Sequence, residues 1–421
     1  MTYTGKDIVA LGILPGPHIR EMLSRANETG VCTYESLRDL LPPPTVPLQE
    51  PIRFGVNITA RNDDELDNLT AVLETMNELC KTPVVEAAAV MPDACPAGPL
   101  GTIPVGGVVA SKHIHPGMHS ADICCSVMVS TFDGVAPDDL MDRVAEGTHF
   151  GPGGRKDHLM SDDLRRLVRG NRFTRDFEDV GDWHMGTQGD GNHFSYVGIM
   201  NSTGKTTLVT HHGSRGFGAR VYKAGMAVAE KYRRKLSPDT LKQNAWIPSD
   251  TQDFADYMDA LDVVKRWTAE NHEIFHLGGD TVTWTIHNFV FKRDGLLYHG
   301  KGATPAWLDG IEAIPLNMSQ PVLLVRGLGN PDALGFCPHG AGRNYSRSEH
   351  MRRGGADIDV ETAGLDVRFW TGKPDQSELP SAYKDALSVR RDIEAYGLAR
   401  VVDEVLPYGC IMAGEIERKW A

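Results

Sequence analysis

Five short segments of this sequence set metal-binding or nucleophilic side chains among small residues. They are Asp122-Ile123-Cys124-Cys125, Gly189-Asp190-Gly191-Asn192-His193-Phe194, His211-His212-Gly213-Ser214-Arg215-Gly216, His287-Asn288-Phe289 and Cys337-Pro338-His339-Gly340-Ala341-Gly342-Arg343. Thiolate, imidazole and carboxylate are the donors that a borderline divalent ion such as Mn²⁺, Zn²⁺ or Co²⁺ accepts. A thiolate can bridge two such ions, so Asp122 and Cys125 on one segment can serve a pair. Paired ions clamp a phosphate and stabilise charge on both its attacking and its leaving oxygen. His339, among glycines and with Arg343, Ser346 and Arg347 downstream, has the setting of an imidazole that attacks phosphorus.

Each part also has a plainer reading. Cys124 and Cys125 in an apolar stretch read as small buried residues. A His beside glycines reads as a turn residue, and His113, His115 and His119 read equally as a metal site or as surface. No CxxC or HExxH spacing forces the segments together. On the residues alone, the chain is a candidate phosphoryl-transfer metalloenzyme.

The elements that must position these groups read as a mixed α/β set. Asn62 is an N-cap with Glu65 as its capping-box partner, and Leu66, Leu69, Leu73, Met76 and Leu79 line one helical face. Strands are expected at 84–90, 121–131 (carrying Asp122, Cys124 and Cys125), 208–210, 282–291 and 322–326. Helices are expected at 218–237, 254–276 and 381–400. The candidate ligands then lie on strands or strand ends with helices between, which suggests one mixed α+β domain. Pro42-Pro43-Pro44 separates an N-terminal extension, residues 1–45, from a catalytic domain at 46–421.

The composition, 41% hydrophobic and 24% charged over 421 residues, is that of a globular protein. A net charge of −13 argues against bulk coating of nucleic acid. Two local runs are basic: Arg165, Arg166, Arg169, Arg172 and Arg175, and Lys231, Arg233, Arg234 and Lys235. They read as solvated helix faces or, if RNA binds, as phosphate contacts. The 7 cysteines follow no disulfide-scaffold spacing. No apolar run is long enough to span a bilayer and no signal-peptide pattern opens the chain, so the expected compartment is the reducing cytoplasm.

Taken in order, eight landmarks resemble the RtcB family of RNA ligases. Met91-Pro92-Asp93 resembles its M-P-D, Asp122 to Cys125 its D-I-G-C, and Gly191 to Phe194 its G-N-H-F. His211 to Gly216 resembles H-S-G-S-R-G with His212 in place of Ser, and His287-Asn288 matches H-N. Val325-Arg326-Gly327-Leu328-Gly329-Asn330, His339 to Arg343 and Tyr383-Lys384-Asp385 match V-R-G-L-G-N, H-G-A-G-R and Y-K-D. The resemblance implies a single domain with central β-sheets flanked by helices around a deep, metal-containing cleft. It implies that Cys125 bridges two Mn²⁺ ions, one completed by His211 and His287, the other by Asp122 and His193. His339 is then the nucleophile that takes a guanylyl group from GTP, with Asn192, Arg215, Arg343, Ser346, Tyr383 and Lys384 contacting nucleotide or phosphate. The implied reaction joins RNA 2′,3′-cyclic phosphate or 3′-phosphate ends to 5′-hydroxyl ends, in RNA repair or tRNA splicing. The alternatives are a metal-dependent phosphodiesterase or phosphatase on RNA ends, and a non-catalytic RNA-end binder.

The chain departs from the family pattern in places. Ala94 to Pro99 replaces a Val-His and a Gly-Lys-Gly turn. Cys124 and Ser126 replace glycines, and Cys124 is expected to be a spare thiol open to oxidation. Tyr196 stands where the family has Glu. Ala413 stands where a terminal Lys contacts guanine, with Lys419 the nearest substitute. Guanine selectivity is therefore expected to relax, and the natural task to be repair of particular broken RNAs.

Overall fold

The computed structural model describes residues 2–308, 310–354 and 357–416. β-Branched stretches with period-two alternation build its larger sheet. Seven strands run antiparallel in the order Ile311–Ile314, Val322–Gly327, Ala399–Met412, Phe194–Met200, Thr206–His212, Ser126–Phe132 and Asp280–Ile286. Asp366–Phe369 adds a parallel eighth beside Ala399–Met412. The two end strands meet through side chains: Ala313 N donates to Thr285 Oγ1 at 2.9 Å, and Thr283 Oγ1 donates to the Ile311 carbonyl at 2.5 Å. The sheet is thus nearly closed into a barrel, filled by Val127, Val129, Tyr196, Val209, Val322, Leu324 and Val405.

Alternation along these strands decides which histidine of the His211-His212 pair faces the barrel's interior end. Val127 and Phe194 stand opposite His211 in register, and Val209 precedes it by two, so His211 shares their inward face. His212 points the other way and stacks on His272 of the helix Gln252–Phe275, ring centroids 3.6 Å apart.

A second, five-stranded sheet runs Gly55–Val56, Val85–Cys95, Val105–Ser111, Leu296–Lys301 and Asn288–Arg293. The chain passes from one sheet to the other at His287, the single residue between Asp280–Ile286 and Asn288–Arg293. The helix Asp63–Leu79 covers the second sheet, while the long helices Arg215–Leu236 and Gln252–Phe275 enclose a core around Phe217, Tyr257 and Trp267.

Several expected elements shift. Asn62 does cap its helix, accepting from Glu65 N at 2.9 Å, but Glu65 reaches back to Arg61 N rather than to the cap. The buried face is Glu65, Asn68, Val72, Thr75, Met76 and Leu79. Leu66 is 54% exposed. Asn68 sets this rotation, because its Nδ2 donates to the buried Ala94 carbonyl at 2.9 Å. The strand expected at 121–131 starts only at Ser126, and Asp122 to Cys125 form the turn before it. The strand expected at 282–291 is broken at His287. The helix expected at 381–400 is confined to Ala386–Ala395; Gly397, at φ 59°, ends it, and Ala399 opens a strand that sequence reading missed.

Near the N-terminus, Ile8, Ile13, Met22, Ala26 and Leu37 form a small core of their own. Thr45 N donates to the Leu236 carbonyl and Lys235 Nζ to that of Gly12, tying it to the body. Both basic runs are largely neutralised in place. Arg165, Arg166, Arg169, Arg172 and Arg175 each pair with a carboxylate, and Arg233 and Arg234 share Glu230. Among the described residues no helix is long and apolar enough to cross a membrane.

Candidate metal and phosphate-transfer site

The turn Asp122-Ile123-Cys124-Cys125 is fixed by backbone bonds to the sheet crossover: Cys124 N donates to the Asn288 carbonyl at 2.6 Å, and His287 N to that of Cys125 at 3.0 Å. Cys124 takes a left-handed φ of 60°, which turns Cys125 into the barrel mouth. The Asn288 amide adds two more ties, its Nδ2 donating to Asp122 O and its Oδ1 accepting from Gly302 N. Gly213 makes room for the Asp122 carboxylate, since a Cβ there would lie 2.0 Å from Oδ1.

Five ligand-type residues converge in two sets that share Cys125: Cys125 with His211 and His287, and Asp122 with Cys125 and His193. Within each set the ligand atoms lie within 4.8 Å of one another. Cys125 Sγ is 3.3 Å from His211 Nε2 and 3.5 Å from His193 Nε2. His193 Nδ1 donates to the Gln188 carbonyl at 2.8 Å and His211 Nδ1 to the Asn192 carbonyl at 3.0 Å. These bonds leave both Nε2 atoms as lone pairs in the neutral rings. Yet His193 Nε2 faces Asp122 Oδ2 at 3.1 Å, and His211 Nε2 faces His287 Nε2 at 3.2 Å. The His193 lone pair facing the Asp122 carboxylate beside one thiol calls for a proton or a cation between them, and the donor set fits a borderline divalent ion.

The electrostatics agree with that need. Burial, then charge on neighbouring histidines, holds His211 and His287 well below the usual imidazole range. Burial and then the Asp122 carboxylate push the Cys125 thiol up. Burial works to raise Asp122 too, but hydrogen bonding and charge from His193, with help from Cys125 and Arg215, bring it below the ordinary carboxyl value. Neutral imidazoles beside a carboxylate are in their ligating forms, and a cation in the centre would bring the thiol to its thiolate.

His339 follows the short strand Phe336–Pro338 and lies against the metal sets, its ring 4.6 Å from that of His287. Its Nδ1 donates to Asp93 Oδ2 at 2.6 Å, and its backbone N to the same oxygen at 3.2 Å. Asp93 is fully buried at the end of Val85–Cys95. Gly342, at φ 72°, lets the His339 loop approach that strand; a Cβ there would meet the Asp93 carbonyl at 2.0 Å.

These groups line a cavity of about 1080 Å³, with His339, His211, His287, Asp122, Cys125 and Asn192 in its wall. Arg343, Ser346 and Tyr383 also line it. Arg343 binds Glu378 at 2.5 Å and the Ser377 carbonyl at 2.7 Å, with its guanidinium over the Tyr383 ring at 4.6 Å. Ser346 caps the helix Arg347–Arg352. Arg215 instead lines a second cavity of about 450 Å³, reached past Asp122, Asn192 and His193.

Lys384 touches neither cavity. Its ammonium is buried and donates to the Pro92 and Ala94 carbonyls at 3.1 and 2.7 Å, so it holds the strand that carries Asp93 rather than meeting a phosphate. Cys124 is fully buried with its thiol pushed up to about 12 by burial, which corrects the expectation of a thiol open to oxidation. His115 and His119 are buried structural residues, hydrogen-bonded to Asn244 O and Tyr257. Tyr196 lines the large cavity but gives its hydroxyl to the Val405 carbonyl at 3.0 Å. Lys419 lies outside the described residues.

Three contributors escaped sequence reading. Asp93 stood in a recognised landmark with no role attached. Glu378, which holds Arg343 and Arg347, carries no local motif. Lys301 lines the large cavity, donates to the Ile103 carbonyl at 3.0 Å and is lowered to about 8 by burial.

The comparisons with known proteins agree with this geometry. The family model described as tRNA-splicing ligase RtcB matches residues 155–413, more than half of the chain. That span holds His193, His211, His287, His339 and Arg343, while Asp93, Asp122 and Cys125 precede it and are joined to it by the contacts above. A tRNA-splicing ligase RtcB of Aeropyrum pernix is 27% identical, the alignment covering 80% of this chain and 90% of that protein. The tRNA-splicing ligase RtcB of Pyrococcus horikoshii is also 27% identical, over 59% of this chain but 36% of its own length. The RNA-splicing ligase RtcB of Escherichia coli K12 is 27% identical over 48% and 55%. With more than half its length matched, the chain belongs to the RtcB family of RNA ligases.

Proposed function

We propose that this protein joins RNA ends bearing a 3′-phosphate or 2′,3′-cyclic phosphate to 5′-hydroxyl ends, through a nucleotidyl group carried on His339. The observation that carries this reading is the Asp93–His339 pair set against the two ligand sets. With Asp93 Oδ2 accepting from Nδ1, that nitrogen carries the proton and Nε2 the lone pair. Nε2 attacks the α-phosphorus of GTP, an N–P bond forms and pyrophosphate leaves. Asp93 stabilises the positive charge that the ring gains. An oxygen of the RNA 3′-phosphate then takes the guanylyl group from His339. The 5′-hydroxyl oxygen attacks the activated phosphate and GMP departs. A cyclic end is first opened by water to the 3′-phosphate.

Cys125, His211 and His287 on one side and Asp122, Cys125 and His193 on the other would hold two Mn²⁺ ions, which when bound supply charge neutralisation on phosphate oxygens and acidify an attacking hydroxyl. Arg343 and, below about pH 8, Lys301 add positive charge along the large cavity. Asn192 positions His211 and stands between the two cavities. Phe194, Tyr196, Met318 and Met412 give the cavity an apolar wall, which holds a base by contact more than by hydrogen bonds. The preference for GTP over ATP is therefore weak in this chain.

The test uses purified protein with Mn²⁺ and α-labelled GTP or ATP, denatured before counting. Label retained from GTP and lost in His339→Ala supports the reading, as does joining of a 3′-phosphate strand to a 5′-hydroxyl strand. Label from ATP alone would mean that the base has changed. No label from either nucleotide, with metal bound, would overturn the ligase reading in favour of a metal-dependent phosphodiesterase.

A further inference from the structure

Two tryptophans lie exposed near the second cavity. Trp183 is 51% exposed and Trp370 is 41% exposed. Trp183 is the penultimate residue of the helix Glu178–His184 and stacks on His184, centroids 5.3 Å apart with 25° between the rings. It is held firmly from behind: Arg155 N donates to its carbonyl at 2.7 Å, and a Cβ on Gly154 would lie 2.8 Å from its Cδ1. Trp370 packs edge-on against His149 at 5.8 Å and tilted against Phe150 at 6.3 Å. The segment from His149 to Gly154 touches both indoles, Trp370 through His149 and Trp183 through Gly154.

Arg215 links this ridge to the metal sets. Its Nη2 donates to the Gly151 carbonyl at 3.0 Å, and the next residue, Gly216, lies against the His184 ring. It also lines the cavity that holds Asp122, Asn192 and His193. His184 is lowered to about 4 by burial and then by the nearby charges of Arg215 and Arg220. His184 Nδ1 is buried without a hydrogen-bond partner. Arg220, Lys223 and Lys156 are exposed and form no ion pair among the described residues, unlike the arginines of both basic runs. Asp190 and Asp375 stand on the rim of the cavity.

We propose that Trp183 and Trp370 form a stacking platform for single-stranded RNA, which leads one RNA end through the second cavity to the metal sets while the nucleotide occupies the large cavity. Exposed indoles together with unpaired cations are what an unstacked strand needs: π faces for bases and charge for phosphates. A duplex hides its base faces and does not fit this surface. The choice of RNA as the polymer rests on the ligase reading above.

The test uses the full chain with Mn²⁺ and three probes: a short single-stranded RNA ending in 3′-phosphate, one beginning with 5′-hydroxyl, and a blunt duplex of the same sequence. Binding is followed by tryptophan fluorescence and by anisotropy. Trp183→Ala and Trp370→Ala are each expected to weaken single-strand binding about tenfold or more, with Trp183→Phe retaining most of it. KM for RNA rises, while labelling of His339 is unchanged. Arg220→Glu, on an exposed helix face, gives an independent loss if an alanine variant misfolds. Unchanged RNA affinity in the double alanine variant overturns the platform, as does equal affinity for the duplex. A protein partner lost from the alanine variants while RNA binding is kept would make this a protein-docking surface and also overturn it. Tryptophan-dependent strand binding without any joining would sink the ligase reading and leave the platform standing; joining with an unaltered KM in the double variant would do the reverse.

Discussion

Because Asp93 accepts from Nδ1 of His339, removing its charge should harm chemistry more than metal binding. Asp93→Asn is expected to lower the rate of His339 labelling on the order of 10²- to 10⁴-fold, with the bound-metal count by elemental analysis unchanged. Lys301 makes a second prediction. Burial lowers it to about 8, so it is charged below that pH and neutral above it. Nucleotide affinity should therefore fall as pH rises through about 8, and Lys301→Met should flatten that limb of the profile. A profile unchanged in the variant would remove Lys301 from phosphate binding. Residue types in the sequence pointed to Cys125, His193, His211 and His339. They could not point to Lys301 or Glu378, whose roles depend on what lies across the cavity. For Lys384 they misled, because the motif placed the residue but not the direction of its ammonium.

At the scale of elements, the turn Asp122 to Cys125 depends on space as much as on ligands. Gly213→Ala would drive a methyl into the Asp122 carboxylate. It should cost the protein one of two bound ions, read by elemental analysis, while leaving the fold's circular dichroism intact. The helix Arg215–Leu236 carries a different test. Glu230 is lowered to about 2, chiefly by hydrogen bonding to Arg233, with Arg234 adding to it. A depressed carboxyl stabilises the fold above its unfolded value, and that contribution fades as pH falls from roughly 4.5 towards 2. Glu230→Gln should therefore be less stable than the parent by about 1 kcal/mol at pH 7, the gap in denaturant midpoints closing below about pH 4. Long apolar periodicity made the two long helices legible. The helix Asp63–Leu79 was placed but rotated, since Asn68 and Thr75 rather than Leu66 face the sheet. The strand Ala399–Met412 was hidden because Gly397 alone marks where helix gives way to strand.

Over the whole molecule, ion binding at the proposed centre would be linked to folding. Ions that bind the five-ligand centre of the folded chain, and not the unfolded one, stabilise by about 2.7 kcal/mol each at a hundredfold excess over Kd. Stripping metal should lower Tm by several degrees, and Cys125→Ala should abolish that difference. An equal metal dependence in the variant would place the ions elsewhere. The mixed α/β class was legible from alternating strand and helix patterns. The near-closed barrel was not, since its closure rests on Thr283 and Thr285 reaching a strand far along the chain.

His287 has one more consequence. Cys125, His193 and His211 ride on the barrel, whereas Asp93 belongs to the five-stranded sheet and holds His339. His287 is the single residue between a strand of one sheet and a strand of the other, and it also belongs to a ligand set. If the proposed ions bind, the site would work like a clasp: loading it would pin the two halves in one alignment, and that alignment would set the gap between His339 and the ions. Substitutions that loosen the seam between the sheets would slow transfer with every ligand and His339 still in place.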